Sequence, residues 1–169
     1  MRYWIGLVFF AILLQSNGQP AFGLYGNAGL NRMGFLFDLG GQCEIKGHQM
    51  RAGVRIYGPN QVFETTLPVA QLGYRYNHPL FKTFNLLSGI QFSYGQEKKG
   101  EVRFRFLDPQ VEIGGQWQLG RKLKLATIFS MGSAQIYANN PTTPLTEHFY
   151  FLNYEFKIGL AYCFGHNHP

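Results

Sequence analysis

Leu152-Asn153-Tyr154-Glu155-Phe156-Lys157-Ile158-Gly159-Leu160-Ala161-Tyr162-Cys163-Phe164 is the stretch that decides how this chain folds. Seven large apolar residues, Leu152, Tyr154, Phe156, Ile158, Leu160, Tyr162 and Phe164, alternate without a break against Asn153, Glu155, Lys157, Gly159, Ala161 and Cys163. Successive side chains of a β-strand point to opposite faces, so the stretch is one long strand with an apolar face and a polar or small one.

The opposite end of the chain is of another kind. Arg2 is followed by a run from Tyr3 to Leu14 without charge, then by Ser16-Asn17-Gly18, which offers small residues where a signal peptidase reads. Residues 1–18 are therefore expected to be a secretory signal peptide, cleaved after Gly18. The run is too short to cross a bilayer as a helix, which needs about 20 residues. No later stretch reaches that length without a charge, a glycine or a proline, so a membrane-embedded mature chain would cross as strands. The first cysteine is Cys43, too distant from the apolar run to carry a lipid anchor.

Removal of the signal leaves about 150 residues, a single domain on length alone. Sixteen Phe, ten Tyr and 21 Gly against 14% charged residues describe a β-rich chain far from disorder. The formal charge of +6 loses only Arg2 on cleavage. Nucleic-acid binding needs basic residues gathered on one face with aromatics to stack on, and an exported chain rarely meets that partner. The two cysteines fall on opposite faces of their strands, Cys43 outward and Cys163 inward, which argues against a disulfide.

Eight alternating segments are expected, over 22–30, 35–45, 50–57, 66–76, 84–94, 110–119, 123–136 and 150–164. Tight connections at Lys46-Gly47-His48-Gln49, Asn77 to Thr83 and Gly120-Arg121-Lys122 alternate with longer polar ones at 58–64, 96–109 and 138–148. The first outer connection, Asn31-Arg32-Met33-Gly34, is only a hairpin turn. One face takes residues such as Phe37, Leu39, Val54, Leu72, Ile90 and Val111. The other takes Asp38, Glu44, Arg51, Arg55, Arg75, Glu112, Lys124, Glu155 and Lys157, four acids and five bases, so every strand charge lies on one side. Only the seventh segment strains the pattern, because Ile128 and Ile136 fall on the polar side. Counting back from a four-residue turn at 46–49 pairs Glu44 with Arg51 and Gly40 with Arg55.

Alternation alone does not say which face is outside, since a soluble lipocalin-type barrel has the same period with the faces reversed. A water-exposed surface would carry many Lys and Glu, whereas this polar face is mostly Gly, Gln, Asn and Ser with a few charges of both signs. That composition suits a narrow packed interior. Aromatics at the strand ends, Phe22, Tyr76, Phe84, Trp117, Tyr162 and Phe164 near the short turns and Phe35, Tyr94, Tyr137 and Phe149 toward the long ones, read as two interfacial girdles.

Lys157, Gly159, Tyr162 and Phe164, at spacings 0, 2, 5 and 7, resemble the C-terminal assembly signal of bacterial outer-membrane β-barrels. With the short-turn, long-loop rhythm, residues 19–164 resemble the OmpA/OmpX-type class of eight-stranded barrels. The tail 165–169 departs from that pattern, in which the aromatic ends the chain. The resemblance implies an all-β fold, an eight-stranded antiparallel transmembrane β-barrel wound as an up-and-down meander. It further implies insertion by the barrel-assembly machinery, residence among outer-membrane lipid and lipopolysaccharide, and any of several functions, because the class includes structural proteins, adhesins and lipid A-modifying acyl enzymes.

An acyl hydrolase or acyltransferase needs a hydroxyl nucleophile beside a base. Lipid A deacylases of this size resemble each other in a His-x-Ser segment on the penultimate strand, and here that strand reads Thr127-Ile128-Phe129-Ser130-Met131. The substitute trio is His148 with Glu147 and Ser130 or Ser133, for which a solvated loop pair is the plainer reading. His48 and His78 lie in turns. His166 and His168 make too few ligands for a metal site. No catalytic residue, cofactor or metal is therefore assigned. Lys98, Lys99, Arg103 and Arg105, interleaved with Glu97, Glu101, Phe104 and Phe106, are a candidate contact for lipopolysaccharide phosphates or simply a hairpin above the membrane. The expected function is a structural or surface-binding barrel with a packed lumen, and a small-solute channel is disfavoured because eight strands leave room for little beyond side chains.

Replacing Phe164 by a charged residue, or deleting the chain from Phe164 onward, is expected to block assembly. Comparing boiled with unboiled samples on a gel checks this, the folded wild type migrating faster unboiled and the variants not shifting.

Overall fold

The computed structural model describes residues 20–59, 66–139 and 146–164. The expected signal peptide and the 165–169 tail lie outside the described residues. Eight strands follow one another, β1 (Ala21–Asn31), β2 (Gly34–Ile45), β3 (His48–Tyr57), β4 (Leu67–Phe81), β5 (Phe84–Lys99), β6 (Val102–Gln118), β7 (Leu123–Asn139) and β8 (Thr146–Cys163). Each pairs antiparallel with its sequence neighbour and β1 pairs with β8, which closes an up-and-down barrel with no free edge. Closure matters because lipid offers nothing to an unpaired backbone N–H or C=O.

The β2–β3 register differs from the sequence reading by two residues. The turn is Lys46-Gly47 alone, both with positive φ (49° and 84°), so that Ile45 faces His48. Two-residue turns of this kind match the twist of the flanking strands, and glycine supplies the left-handed position without strain. In consequence Gln42, not Glu44, faces Arg51, and Asp38, not Gly40, faces Arg55.

Pro79 and Pro109, which the sequence reading puts in connections, both lie inside strands. The 96–109 stretch, expected as a loop, is the outer part of the β5–β6 ladder and ends in a turn at Gly100-Glu101, with Gly100 at φ 61°. Pro109 is tolerated inside β6 because the β6–β7 ladder skips Asp108 and Pro109, so the missing N–H breaks no bond there. Pro79 likewise lies in β4, where the register with β5 shifts between Pro79 and Phe81.

Large apolar side chains stand outward all round, among them Leu39 (61% exposed), Val111 (65%) and Ile90 (60%), while the buried set includes Asp38, Arg55, Glu112, Glu155 and Lys157. This is the reverse of a water-soluble barrel. Ile128 and Ile136 do point inward. Ile136 belongs to an apolar cluster in the outer half of the lumen, with Met33, Leu36, Tyr57, Leu67, Val69, Phe106 and Ala134.

Inward glycines make the space that long side chains cross. Tyr25 on β1 reaches over the facing pair Gly40 and Gly53 to donate to Gln71 Oε1 on β4 at 3.1 Å. A Cβ at Gly53 would lie 2.7 Å from the Tyr25 hydroxyl, and one at Gly40 2.8 Å from it. Gly53→Val is expected to expel the ring and destabilise the barrel by about 1–3 kcal/mol, the usual penalty of overpacking. A denaturant titration of the lipid-reconstituted protein reads the loss as a lowered midpoint.

Candidate functional site

The centre of the lumen is built on Arg55, whose side chain is wholly buried. Its Nε donates to Asp38 Oδ1 at 2.7 Å and its Nη2 to Asp38 Oδ2 at 3.2 Å, a two-pronged pair across the β2–β3 ladder. Its Nη1 donates to Glu155 Oε1 on β8 at 2.7 Å and to the Tyr57 hydroxyl at 3.1 Å, and lies 4.0 Å from Asp108 Oδ2 on β6. Asp108 in turn accepts from Tyr57, Asn153 and Gln110 at 3.2, 2.8 and 3.0 Å. Asn27 on β1 donates to Asp38 at 3.2 Å.

Nearer the short turns a second group forms around Glu112. Arg75 grips it through Nε at 2.6 Å and Nη2 at 3.0 Å, and Lys157 Nζ donates to it at 2.8 Å. Lys157 also lies 3.4 Å from Glu155 and donates to Gln91 at 3.0 Å, which joins the two groups. At the mouth, Lys124 pairs with Glu44 at 2.6 Å while Asn77 donates to the same carboxylate at 2.9 Å. The lumen thus brings together all nine charged residues read from the sequence, though not in the pairs expected of Glu44 and Arg51.

Asp108 is the member that sequence reading missed. It falls within the 96–109 connection of the sequence reading, although Asp108, Gln110 and Glu112 keep the inward parity of β6. With it the lumen below the outer rim brings together five acids (Asp38, Glu44, Asp108, Glu112, Glu155) and five bases (Arg51, Arg55, Arg75, Lys124, Lys157) among the described residues. Arg51 has no acidic partner among the described residues. Its guanidinium lies 3.6 Å over the Tyr25 ring, and its Nε and Nη2 lack hydrogen-bond partners. Beside it is a void with room for about one water, lined by Gln42, Gln49, Gln116 and Lys124 among others.

The four residues of the terminal pattern divide by face. Lys157 is part of the charge network, and a Cβ at Gly159 would meet the Asn27 side chain. Tyr162 and Phe164 stand outward with ring centroids 5.4 Å apart, Tyr162 beneath the Lys122 ammonium. Phe81, Phe84 and Trp117 continue this lower girdle. The turn histidines join it as well. His48 Nδ1 lies 2.7 Å from the Tyr74 hydroxyl, and Tyr76 packs between His48 and His78 at 4.9 and 4.5 Å.

The trio weighed for acyl chemistry is dispersed. Ser130 points into the lumen, donating to Glu112 at 3.4 Å, while His148 is at the rim with its ring 4.6 Å from Tyr137. Ser133 faces Leu152, four positions below His148, which is about 14 Å along the strand.

No family model matches the sequence, and no curated protein sequence is significantly similar to it. Solved structures do match its shape. A designed transmembrane β-barrel superposes with a TM-score of 0.55 at 14% identity, covering 85% of this chain and 94% of the other. A major outer-membrane protein of Thermus thermophilus gives 0.52 at 13%, covering 86% and 100%. The outer-membrane protein AlkL, solved in lipid bilayers, gives 0.51 at 10%, covering 90% and 93%. This chain has the eight-stranded transmembrane β-barrel fold. The narrower OmpA/OmpX-type likeness rests on the terminal pattern and loop rhythm alone.

Arg55→Leu is expected to cost about 3–5 kcal/mol, since it strands Asp38 and Glu155 in a buried site. Combined with Glu155→Leu it should cost less than the two singles added. Unfolding midpoints of the four proteins in the cycle check this, and strictly additive losses would show that the pair is not coupled.

Proposed function

We propose that this chain is an integral protein of the bacterial outer membrane, with a non-conducting lumen and a structural or surface-binding role carried by its outer rim. The observation that supports it best is the filled interior. The Arg55 and Glu112 groups occupy the middle, the cluster around Leu36, Tyr57 and Phe106 occupies the outer half, and a void beside Arg51 has room for about one water. An interior of this width suffices for side chains and not for an aqueous pore.

Residence in the outer membrane is supported by the expected signal peptide, the terminal assembly pattern and an outward surface of Leu, Ile, Val, Phe and Tyr. A lipocalin-like binding role lacks support, since those apolar side chains point away from the lumen. The separation of Ser130, Ser133 and His148 favours a non-enzymatic role over acyl hydrolysis. The partners on this reading are outer-leaflet lipid and, during biogenesis, the barrel-assembly machinery.

Planar-bilayer recordings of the purified protein are expected to show no large steady conductance, and the same preparation to release no fatty acid from lipid A. A stable open channel would overturn the filled-lumen reading. Cell fractionation is expected to recover the protein with outer membranes, and recovery in soluble periplasm would overturn the membrane assignment.

A further inference from the structure

On one side of the barrel the outward residues change character within two positions. Along β6 the lipid-facing belt runs from Trp117 through Ile113 and Val111 to Leu107. Those ten steps, at about 3.4 Å each and a tilt near 40°, span about 26 Å of height, close to the roughly 25 Å apolar band of outer-membrane barrels. The next outward residues are Arg105 and Arg103, both exposed. On β5 the belt ends at Tyr94 and is followed by Gln96 and Lys98, and the ladder sets Lys98 opposite Arg103 and Gln96 opposite Arg105. Arg105 faces Tyr137 on β7, and Tyr137 faces His148 on β8, with exposed Tyr150 one outward step below.

Like charges directly opposite on antiparallel strands repel. Lys98, Arg103 and Arg105 nevertheless stand together with no side-chain ion pair or side-chain hydrogen bond to a described residue. The neighbouring acids do not share their face. Glu97 and Glu147 occupy inward positions, opposite Phe104 and Ala138, and Glu101 is in the hairpin turn. The patch lies at the end remote from the connections at 46–47, 82–83 and 119–122 and from the closing strand's Phe164, the end that faces outward in such barrels. The three cations are therefore at the height where an outer leaflet carries its phosphates.

We propose that Lys98, Arg103 and Arg105, above Tyr137, His148 and Tyr150, form a binding site for the phosphate groups of the lipid A portion of lipopolysaccharide. It rests on the outer-membrane reading above and names the ligand of that surface. A guanidinium offers a planar fork that fits two phosphate oxygens, an ammonium adds a point charge, and a bound phosphate removes the repulsion between Lys98 and Arg103. Tyrosines at this level suit the polar boundary of the apolar belt.

Folded protein in detergent is titrated with lipid A and with dephosphorylated lipid A bearing the same acyl chains. The wild type is expected to prefer the phosphorylated form by at least about tenfold. Each cation near an anionic surface contributes about fivefold. The triple variant Lys98→Gln, Arg103→Gln, Arg105→Gln should therefore bind on the order of 100-fold more weakly and lose the preference, while keeping the gel shift of a folded barrel. If the triple variant does not fold, Arg103→Gln and Arg105→Gln singly should each show the fivefold loss. A control, Lys82→Gln with Lys122→Gln at the opposite rim, is expected to bind as the wild type does. Retained binding in the rim variants, indifference of the wild type to phosphate, or an equal loss in the control overturns the site. Because folding and binding are read in detergent, failure of the outer-membrane reading shows separately, in cell fractionation.

Discussion

Arg55 is the residue around which the interior is organised. A guanidinium taken out of water is tolerable only when its donors are matched, and the matching acids come from β2, β8 and, through Tyr57, β6. Strands of a barrel touch only their neighbours through the backbone. Contacts between strands that are not neighbours must therefore be made by side chains inside. Pairing Arg55 with Asp38 and Glu155 ties β3 to both sides of the β1–β8 seam, where the two ends of the chain meet. Lys157, bridging Glu155 and Glu112, extends the same network to β5 and β6.

Charge neutrality of the described lumen follows from the same constraint, since a surplus ion in a dry interior would favour unfolding or leakage of water. Arg51 shows how a base without an acidic partner among the described residues is accommodated, with its cationic face on the Tyr25 ring and a water-sized void at its side. Tyr25 is held there because Gly40 and Gly53 leave the wall bare. Above Arg55 the lumen becomes apolar, and Tyr57 spans the change, its ring 5.3 Å from Phe106 and its hydroxyl on the ion cluster. The polar layer supplies cross-links and the apolar layer excludes water from the outer half.

Some side chains belong to two arguments at once. Lys157 is part of the terminal pattern and is also a central lumen ion, so that position of the pattern has a role in the finished fold. His48 and His78, read as bland turn residues, flank Tyr76 in the lower girdle because β3 and β4 bring them to one outward surface. Lys98, Arg103 and Arg105 stand on a strand-borne patch because β5 and β6 continue past the belt as a paired hairpin.

Eight strands, the closing strand, the inward set of charges and the outward apolar surface were legible in the amino-acid sequence, because a period of two is a local property that each strand carries by itself. Partners were not. A turn two residues shorter than expected keeps every side chain on its face and yet moves Arg51 from Glu44 to Gln42, and Arg55 from Gly40 to Asp38. The loop assignment that hid Asp108 failed for a related reason, since whether Pro109 ends a strand depends on which neighbouring strand asks for its missing N–H. Pairs such as Arg55 with Glu155, 100 residues apart, exist only once closure of β1 on β8 sets the stagger of all eight strands. Face is decided residue by residue along the chain, and register by the turns and the closed ring together.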